Sequence, residues 1–434
     1  MFGYYIELAV RSLRRNQVLT ALMIVTLALG IGASITTLAV LKLLSGDPLP
    51  EKSGHLFYPQ IDPNPLEGYV AGQAKPDPMM SYPDAMYLVH ARRARRQAAM
   101  ATMQAKIVPD RANDHPYFAD GMMTTSDFFG LFDVPFQYGS GWSAPDDESA
   151  APVAVISDFL NDKLFGGGNS VGKTIHVWGH DLRVIGVLKH WAPQPRFYAE
   201  VIGNRDYGDG DAVFMPLKTA RAMDAGAGNL QCYAQVSDLI HIETAPCEWL
   251  GVWVELDSSA EVASYKAFLD GYVKEQIALG RLHRPDTSLL SLMGWLIDQQ
   301  VVPSDARLQT YLAFGFLLIC VVNTVGLLLA KCLRRGREIS VRRALGATRR
   351  AIFAQFMVEA GIIGIAGGVL GLVLAELGLL AVRHQPADYA SLAHLDGQMF
   401  LATFAVALAA SLIAGLLPAW RACVMAPAPQ LKAA

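Results

Sequence analysis

The segment that decides the fold is a short basic stretch, residues 331–350, which reads KCLRRGREISVRRALGATRR. An apolar run precedes it at Leu308–Ala330, and a second apolar run follows it at Phe353–Val382. Each run can cross the hydrocarbon core of a bilayer as a helix, since about 20 residues are needed. A segment this short cannot fold as a domain of its own. We therefore expect it to lie at the membrane surface and to contact another molecule.

Two further apolar runs, Val18–Leu41 and Phe400–Trp420, bring the number of predicted transmembrane helices to four. With 52% hydrophobic and 17% charged residues, the chain is too apolar for an ordinary soluble protein and too polar to lie wholly in a membrane. The first run is too long for the core of a secretory signal, so we interpret it as an uncleaved anchor. The expected fold class is an α-helical polytopic membrane protein with a large α+β extracytoplasmic domain inserted between the first and second spans.

Acidic and basic residues are divided unevenly along the chain. Residues 45–305 contain 33 acidic and 20 basic residues, whereas the rest of the chain contains 6 acidic and 16 basic residues. Because basic residues concentrate in cytoplasmic loops, both termini and residues 333–352 are predicted to be cytoplasmic and the acidic block to lie outside. The predicted organisation is an amphipathic helix with the first span in residues 1–44, an extracytoplasmic domain in 45–305 and a membrane domain in 306–434.

The long polar block alternates strand and helix patterns, which is typical of an α+β domain. Ser157 can cap a helix over Asp158–Phe165 that stops at the three glycines of residues 166–168. Residues 145–150 and 207–211 are predicted to be surface loops. The other predicted elements are strands at Pro152–Ile156, Thr174–Trp178, Leu182–Leu188 and Trp253–Leu256 and a helix at Ala260–Leu279.

Residues Tyr4–Arg15 have the pattern of a short amphipathic helix with arginines at its end. Such a helix lies along the inner face of the membrane before the chain enters it. The alternative interpretation is that these residues simply extend the first span into the cytoplasm.

Glycines recur at helical spacing in the third span. Gly364 with Gly368, and Gly367 with Gly371, form small-xxx-small patterns that let helices approach closely in lipid. We expect these four glycines to be helix-packing positions.

Three polar residues lie within or at the ends of the spans, where ionisable groups are functional candidates by default. We favour a structural interpretation for each of them. Asn323 is expected to hydrogen-bond a neighbouring helix, and Glu376 to reach water near the outer end of its span. Glu359 is expected to pair with the arginines just before it in the chain, at 349–350.

Residues 167–174, which read GGNSVGKT, fit the phosphate-binding pattern of nucleotide hydrolases. That pattern needs a strand directly before the loop and a helix directly after it, so that backbone amides face the phosphates. Here a helical stretch precedes the loop and a β-branched strand follows it. We therefore reject a nucleotide site.

Other signals of chemistry are weak. His176 and His180 bracket a turn beside Asp181, but a metal site needs further ligands that the sequence does not offer. The arginine-rich residues 92–96 are expected to form a solvated helix face rather than a nucleic-acid site. No nucleophile, paired-carboxylate or dinucleotide signature is visible, so no catalytic residue is predicted.

Only two of the five cysteines, Cys232 and Cys247, fall in the predicted extracytoplasmic block. An oxidising compartment permits a disulfide between them, and two separate free thiols stay equally open. Both residues belong to a stretch of weak periodicity, residues 224–248, which reads as an inserted subdomain.

The basic segment itself reads as a helix over residues 338–352 that is broken at Gly346. Ile339, Ala344 and Leu345 give it an apolar side among many arginines. One interpretation is an interfacial helix attracted to anionic lipid. The other is a peg for the groove of a partner protein, with apolar anchors and arginine contacts.

Motifs in a fixed order along the chain carry a family resemblance. The most specific stretch runs from residues 320–323 to residues 337–347, which read REISVRRALGA. The other motifs are Glu7–Asn16, Ser81–Asp84, Ser126–Phe129, Val134–Phe136, Pro152–Ser157, Leu164–Gly166, Ser170–Lys173, Val184–Val187 and Leu416–Ala422. Together they resemble the MacB/FtsX-like permeases of ABC transporters over nearly the whole chain. Trp420 departs from the family, which commonly has a basic residue there, whereas Arg421 fits.

The resemblance implies a non-catalytic permease subunit in the inner membrane of a bacterium. It implies a dimer of identical or related permease chains with ABC ATPase subunits below, whose closure on ATP moves the outer domain to export or extract an amphipathic substrate. ATP and Mg²⁺ would be bound by the ATPase and no cofactor by this chain. Because the chain begins almost at its first span, the ATPase is expected to be a separate polypeptide. Membrane lipids and a periplasmic adaptor are further implied partners, and nucleic acid is not.

The resemblance also assigns the basic segment to contact with the ATPase. Ile339, Ala344 and Leu345 would pack against the ATPase, while Arg342 and Arg343 would make polar contacts. The implied coupling residues are Arg337, Glu338, Ile339, Arg342, Arg343, Ala344, Leu345, Gly346 and Ala347. One alternative is an FtsX-like regulator that activates an extracellular enzyme without moving a substrate. A membrane-anchored extracytoplasmic enzyme is a third class.

Overall fold

The chain folds as two compact units in a computed structural model that describes residues 2–72, 75–109, 115–199, 207–236, 238, 241–302, 304–385 and 389–424. The helical unit comprises Met1–Ser45 and Val302–Ala434, and the α+β unit comprises Gly46–Val301. The α-helices are α1 (Phe2–Arg15), α2 (Gln17–Ser45), α3 (Tyr82–Ala91), α4 (Phe128–Leu131), α5 (Ala144–Glu148), α6 (Asp158–Phe165), α7 (Leu217–Ala222), α8 (Ser259–Ala278), α9 (Leu292–Asp298), α10 (Ser304–Arg334), α11 (Gly336–Ala344), α12 (Arg349–Arg383) and α13 (Gly397–Val424).

Four helices of the helical unit, α2, α10, α12 and α13, are long and apolar enough to cross a membrane. They contain the four apolar runs read from the sequence, and each extends a few residues beyond its run. The α+β unit lies in the chain between the first and second of them. The predicted fold class is therefore confirmed.

Close packing in the helical unit centres on α12, where two glycine pairs face two different neighbours. A Cβ atom built on Gly364 or Gly368 would lie within 3 Å of the Ser411 or Ala407 side chain of α13. A Cβ atom on Gly371 would lie 3.0 Å from Ile31 of α2, and one on Gly367 would lie 3.3 Å from Leu27 of α2. The missing side chains thus let α12 approach α13 on one side and α2 on the other.

The α+β unit is built on a mixed sheet in the order β12-β1-β11-β3-β4-β9-β6-β8-β5, with β2 and β10 paired to β11 and β7 to β3 and β8. Its strands are β1 (Leu56–Ile61), β2 (Met80–Ser81), β3 (Arg96–Val108), β4 (Tyr117–Thr124), β5 (Phe136–Gly139), β6 (Val153–Ile156), β7 (Thr174–Val177), β8 (His180–Leu188), β9 (Val213–Pro216), β10 (Gln231–Cys232), β11 (Cys247–Glu255) and β12 (Thr287–Ser291). Two pairs, β4 with β9 and β6 with β8, are parallel, and the other pairs are antiparallel.

Local signals explain where several of these elements begin and end. The Ser157 hydroxyl accepts a hydrogen bond from the Leu160 amide at 3.2 Å, and α6 ends at Gly166 with a φ of +79°, so the predicted helix is confirmed. Trp178 and Gly179, both at positive φ, form the two-residue turn between β7 and β8.

The predictions of two surface loops need correction. Residues 144–148 form the short helix α5, because Ser143 and Asp146 make a capping box and Pro145 starts the first turn. Residues 207–211 are irregular, but Tyr207 and Asp211 are buried. The Asp211 carboxylate forms an ion pair with the buried Arg196 guanidinium, with Oδ2 2.9 Å from Nη2, and this pair draws the loop into the core.

The predicted arginine helix face is also wrong, because α3 ends at Ala91 and Arg92 takes a left-handed φ of +48°. Arg96 instead begins β3 and pairs with Glu255 of β11 at 3.0 Å. Arg96 is therefore held by an ion pair between neighbouring strands and does not belong to a solvated helix face.

The cysteine alternatives are decided in favour of a disulfide between Cys232 of β10 and Cys247 of β11. The two residues are opposite each other in the antiparallel register of these strands. The described part of residues 224–248, which excludes 237, 239 and 240, thus joins the main sheet instead of forming a separate subdomain.

Candidate coupling site in the helical unit

The basic segment forms a helix–turn element between two spanning helices. Helix α10 ends at Arg334, and Arg335 leads into α11, the nine-residue helix Gly336–Ala344. Gly346 has a φ of +97°, which residues with a Cβ rarely adopt, so the chain turns there as the sequence predicts. The Thr348 hydroxyl then accepts a hydrogen bond from the Ala351 amide at 3.2 Å and caps α12.

One side of α11 is packed against the ends of the spanning helices. Ile339 is only 6% exposed and belongs to a buried cluster made by α10, α11, α12 and α13. The cluster consists of Cys332, Ile339, Ile352, Phe356, Ala419, Ala422 and Cys423. The interpretation that Ile339 packs against a partner protein is therefore corrected, because this side chain anchors α11 to its own chain.

The opposite side of the element is left open. Leu345 is 83% exposed and Val341 is 46% exposed, and Ala344 is exposed beside them. Arg337, Arg349 and Arg350 are also exposed, so cations surround this apolar surface. We name the exposed residues Arg337, Val341, Ala344, Leu345, Arg349 and Arg350 the coupling surface.

The arginines between these two sides stiffen the element. Arg342 pairs with Glu338 of the same helix at 2.7 Å and donates to the Gln355 side chain of α12 at 3.1 Å. Arg343 donates to the Cys423 carbonyl of α13 at 3.4 Å. Both residues therefore contact their own chain and are only partly exposed.

Beneath α11 lies a cluster of charged and polar groups around Glu359 of α12. Its Oε1 atom accepts hydrogen bonds from Ser12 Oγ of α1 at 2.9 Å and from Lys331 Nζ of α10. Its Oε2 atom lies 3.6 Å from Arg335 Nη1. The prediction that Glu359 pairs with Arg349 and Arg350 is wrong, since its partners come from other helices. The sequence signal that was missed is Lys331, a cation at the end of an apolar span.

The other two polar residues of the spans differ from each other. Glu376 is partly exposed and pairs with Arg383 of the same helix at 2.6 Å. Asn323 is exposed on α10, and among the described residues its side chain has no hydrogen-bond partner. The expected bond from Asn323 to a neighbouring helix of this chain is therefore absent from the described structure.

The phosphate-loop pattern of residues 167–174 has a structural role in the α+β unit. It follows α6 and precedes β7, which is the reverse of the order that a nucleotide site requires. The Ser170 hydroxyl is buried and donates to Asn161 Oδ1 at 2.5 Å, while Asn161 Nδ2 donates to the Gly168 carbonyl at 2.9 Å. Lys173 lies over the Phe165 ring at 4.6 Å. These contacts close the loop onto α6.

The described residues of the α+β unit offer no comparable site. His176 hydrogen-bonds Asp181 at 2.6 Å, and no group of three His, Cys, Asp or Glu side chains among the described residues is arranged to hold a metal ion. A cavity of about 500 Å³ is lined by His90, Asp147, Glu148 and Lys218, among others. Glu148 pairs with both His90 and Lys218, and burial raises the pKa of Asp147. The charged side chains Glu148, His90 and Lys218 in this cavity thus pair with one another.

Comparison with known protein families covers both units. The profile of the MacB-like periplasmic core domain matches residues 20–269, which is more than half of the chain. The profile of the FtsX-like permease C-terminal domain matches residues 311–427. The coupling surface, Glu359 and its partners Lys331 and Arg335 fall within the second match.

Two relatives identified by sequence agree with these matches. The uncharacterized ABC transporter permease YvrN of Bacillus subtilis (strain 168) is 27% identical over 312 residues, which are 70% of this chain and 68% of YvrN. The macrolide export ATP-binding/permease protein MacB of Rhodospirillum rubrum is 27% identical over 445 residues, spanning 100% of this chain and 60% of that protein. The crystal structure of the periplasmic region of MacB from Actinobacillus actinomycetemcomitans aligns with 61% of this chain and 99% of that region, at 12% identity and a TM-score of 0.38.

Proposed function

This chain belongs to the MacB/FtsX-like family of ABC transporter permeases, and from that premise we propose that its coupling surface binds an ABC ATPase. In this proposal ATP and Mg²⁺ are bound by the ATPase, and the permease itself performs no chemistry. Binding and hydrolysis of ATP push on α11, and the helices carry that motion to the α+β unit. The result is export or extraction of an amphipathic substrate.

The observation that carries the proposal is the two-sided character of the element formed by α11 and the turn that follows it. Ile339 is fixed in a buried cluster that joins three spanning helices, whereas Leu345 and Val341 are left in the open among cations. An exposed apolar patch with a rim of charged residues is typical of an interaction site, and arginine is enriched at protein interfaces. Because the buried side of α11 is tightly packed, a movement of α11 caused by the ATPase would also move the ends of α10, α12 and α13.

Export as the direction of transport is supported by a relative whose name describes it as a macrolide export protein. The positive-inside rule supports a cytoplasmic location for residues 333–352 and both termini, and a periplasmic location for the α+β unit in the inner membrane of a bacterium. The exposed Ile6 and Val10 of α1 support contact of this helix with membrane lipid.

A second permease chain is part of the proposal, and the exposed position of Asn323 supports it. A polar amide in a spanning helix needs a hydrogen-bond partner when it leaves water. An identical or related chain packed on this face of α10 would supply one. Asn323→Leu is therefore expected to weaken the dimer in detergent, measured by light scattering, while Val322→Leu at the adjacent exposed position leaves it intact.

The test of ATPase binding uses Leu345→Asp in the full-length tagged chain. The side chain is exposed, so the substitution is expected to leave folding and membrane insertion unchanged. It places a charge on the apolar anchor, so the ATPase should no longer co-purify and ATP-driven transport in vesicles should stop. Leu279→Asp in the α+β unit is the matched control, because Leu279 is 71% exposed.

Two outcomes would count against the proposal. Normal recovery of the ATPase with Leu345→Asp would show that the coupling surface is not its binding site. ATPase binding without any cargo movement in wild-type vesicles would favour the regulatory alternative, in which the α+β unit controls a partner enzyme.

A further inference from the structure

Glu359 connects three segments of the helical unit that are far apart in sequence. Its Oε1 atom is bonded to Ser12 of α1 and to Lys331 of α10, and Glu359 itself belongs to α12. Glu359, Lys331 and Ser12 are 1%, 2% and 5% exposed, so water does not weaken these contacts. Any movement of Glu359 is therefore shared by α1, α10 and α12.

The third partner, Arg335, differs because its contact with Glu359 is incomplete. Arg335 is the residue directly before α11, and its Nη1 atom stops 3.6 Å from Glu359 Oε2, beyond a good hydrogen bond. Glu359 Oε2 and Arg335 Nε are both buried, and neither has a hydrogen-bond partner among the described residues. The Arg335 guanidinium and the free carboxylate oxygen of Glu359 thus lie near each other without a good hydrogen bond, an arrangement that a small tilt of α11 would change.

We propose that Glu359 is a positioning residue that sets the place of α11 relative to α1, α10 and α12, with Arg335 as the contact that tightens or loosens when α11 moves. This inference rests on the proposed function, because it describes how a push on the coupling surface enters the membrane. It adds the specific group through which the push passes.

The experiment measures hydrogen exchange of the full chain in lipid nanodiscs, without any ATPase. Glu359→Gln keeps the shape and an acceptor for Ser12 but removes the charge that holds Arg335 and Lys331. We expect the amides of residues 336–344 to exchange about tenfold faster, while the centres of the four spans stay protected. Glu376→Gln on the same helix is the matched control and is expected to change these amides less than about twofold.

Variants of Arg335 separate positioning from a general loss of stability. Arg335→Gln should speed exchange of residues 336–344 as Glu359→Gln does, and the two changes together should add little to either one. Arg335→Lys, which keeps the charge, should restore most of the protection. Equal effects of Glu359→Gln and Glu376→Gln, or faster exchange spread over all four spans, would overturn the proposal.

A second measurement uses the permease–ATPase complex. Glu359→Gln is expected to retain the ATPase but to lose ATP-driven transport, whereas Leu345→Asp should lose the ATPase itself. Normal transport by Glu359→Gln would contradict the inference. If no ATPase binds the wild-type chain, the proposed function fails, and the exchange measurement alone decides the role of Glu359.

Discussion

Glu359 and Lys331 form an ion pair in which both side chains are almost completely buried, at 1% and 2% exposure. Removing two charges from water is costly. The attraction between them offsets this cost only when their geometry is good and their remaining donors and acceptors form hydrogen bonds. Here Ser12 supplies one further bond and Arg335 lies close by. The pair is therefore a sensitive point in the packing of α10 against α12.

Breaking this pair on one side is expected to destabilise the helical unit more than removing it altogether. Lys331→Met leaves a buried carboxylate with weaker compensation, a change that typically costs about 3–5 kcal/mol. The double variant Lys331→Met/Glu359→Leu should unfold at a higher temperature in detergent than Lys331→Met alone.

The exposed pair of Lys42 and Asp396, at 2.8 Å, is the control for this prediction. Lys42→Met should cost at most about 1 kcal/mol, because water screens that pair. Equal thermal shifts for Lys331→Met and Lys42→Met would contradict the burial seen in the structure.

Adding one methyl group to α12 is expected to have opposite effects at two glycines. A Cβ atom on Gly368 would lie 2.8 Å from the Ala407 Cβ atom, so Gly368→Ala must push α13 away. Such overpacking typically costs about 1–3 kcal/mol. A Cβ atom on Gly361 would meet nothing within 4 Å, so Gly361→Ala should be neutral or stabilising through its higher helix propensity. Thermal unfolding in detergent compares the two variants, and equal loss of stability would be the contrary result.

Glu248 of β11 is expected to make the stability of the α+β unit depend on pH. Burial, reinforced by the charge of Asp77, raises the pKa of Glu248 to about 10 from 4.5. Between these values the folded state holds a proton that the unfolded state releases. The contribution of Glu248 to the free energy of unfolding is thus fully present below pH 4.5. It is lost as the pH rises towards 10, by up to about 1.4 kcal/mol per pH unit. Glu248→Gln should flatten this decline and raise stability at pH 8.

Tryptophan fluorescence during unfolding at pH 5 to 9 measures the effect, and Glu148→Gln is the control. A hydrogen bond from Lys218 lowers the pKa of Glu148, so its stabilisation is present at neutral pH and disappears only in acid. Glu148→Gln should therefore leave the slope between pH 6 and 9 unchanged. A wild-type slope that Glu248→Gln does not alter would refute the prediction.

Local signals in the sequence predicted the elements that depend on local physics. The bounds of α6 follow from a serine cap and a glycine stop, and the predicted strands at Thr174–Trp178 and Leu182–Leu188 correspond to β7 and to most of β8. The four spans follow from length and hydropathy, which need no knowledge of neighbours. The sequence predicted only the last part of β11. All nine residues of this strand are buried, so the alternation of polar and apolar residues that marks a half-exposed strand is absent.

The helix that carries the candidate site was predicted from the sequence, but its internal contacts were not. The sequence shows an apolar and basic helix, yet it does not show which apolar residues face inward. Ile339 is buried and Leu345 exposed because α11 rests on the ends of α10, α12 and α13, a tertiary arrangement. The partners of Glu359 lie 28 and 347 residues away in the chain, so the nearby arginines were a misleading signal.

Photo-crosslinking from position 345 in cells identifies directly which molecule binds the coupling surface. A photoreactive amino acid at Leu345 is exposed on the coupling surface, and the same amino acid at Leu279 is the control in the α+β unit. We expect position 345 to form an adduct with a nucleotide-binding ABC ATPase and position 279 to form none. Adducts of position 345 with lipid alone, or with a periplasmic protein, would contradict this expectation.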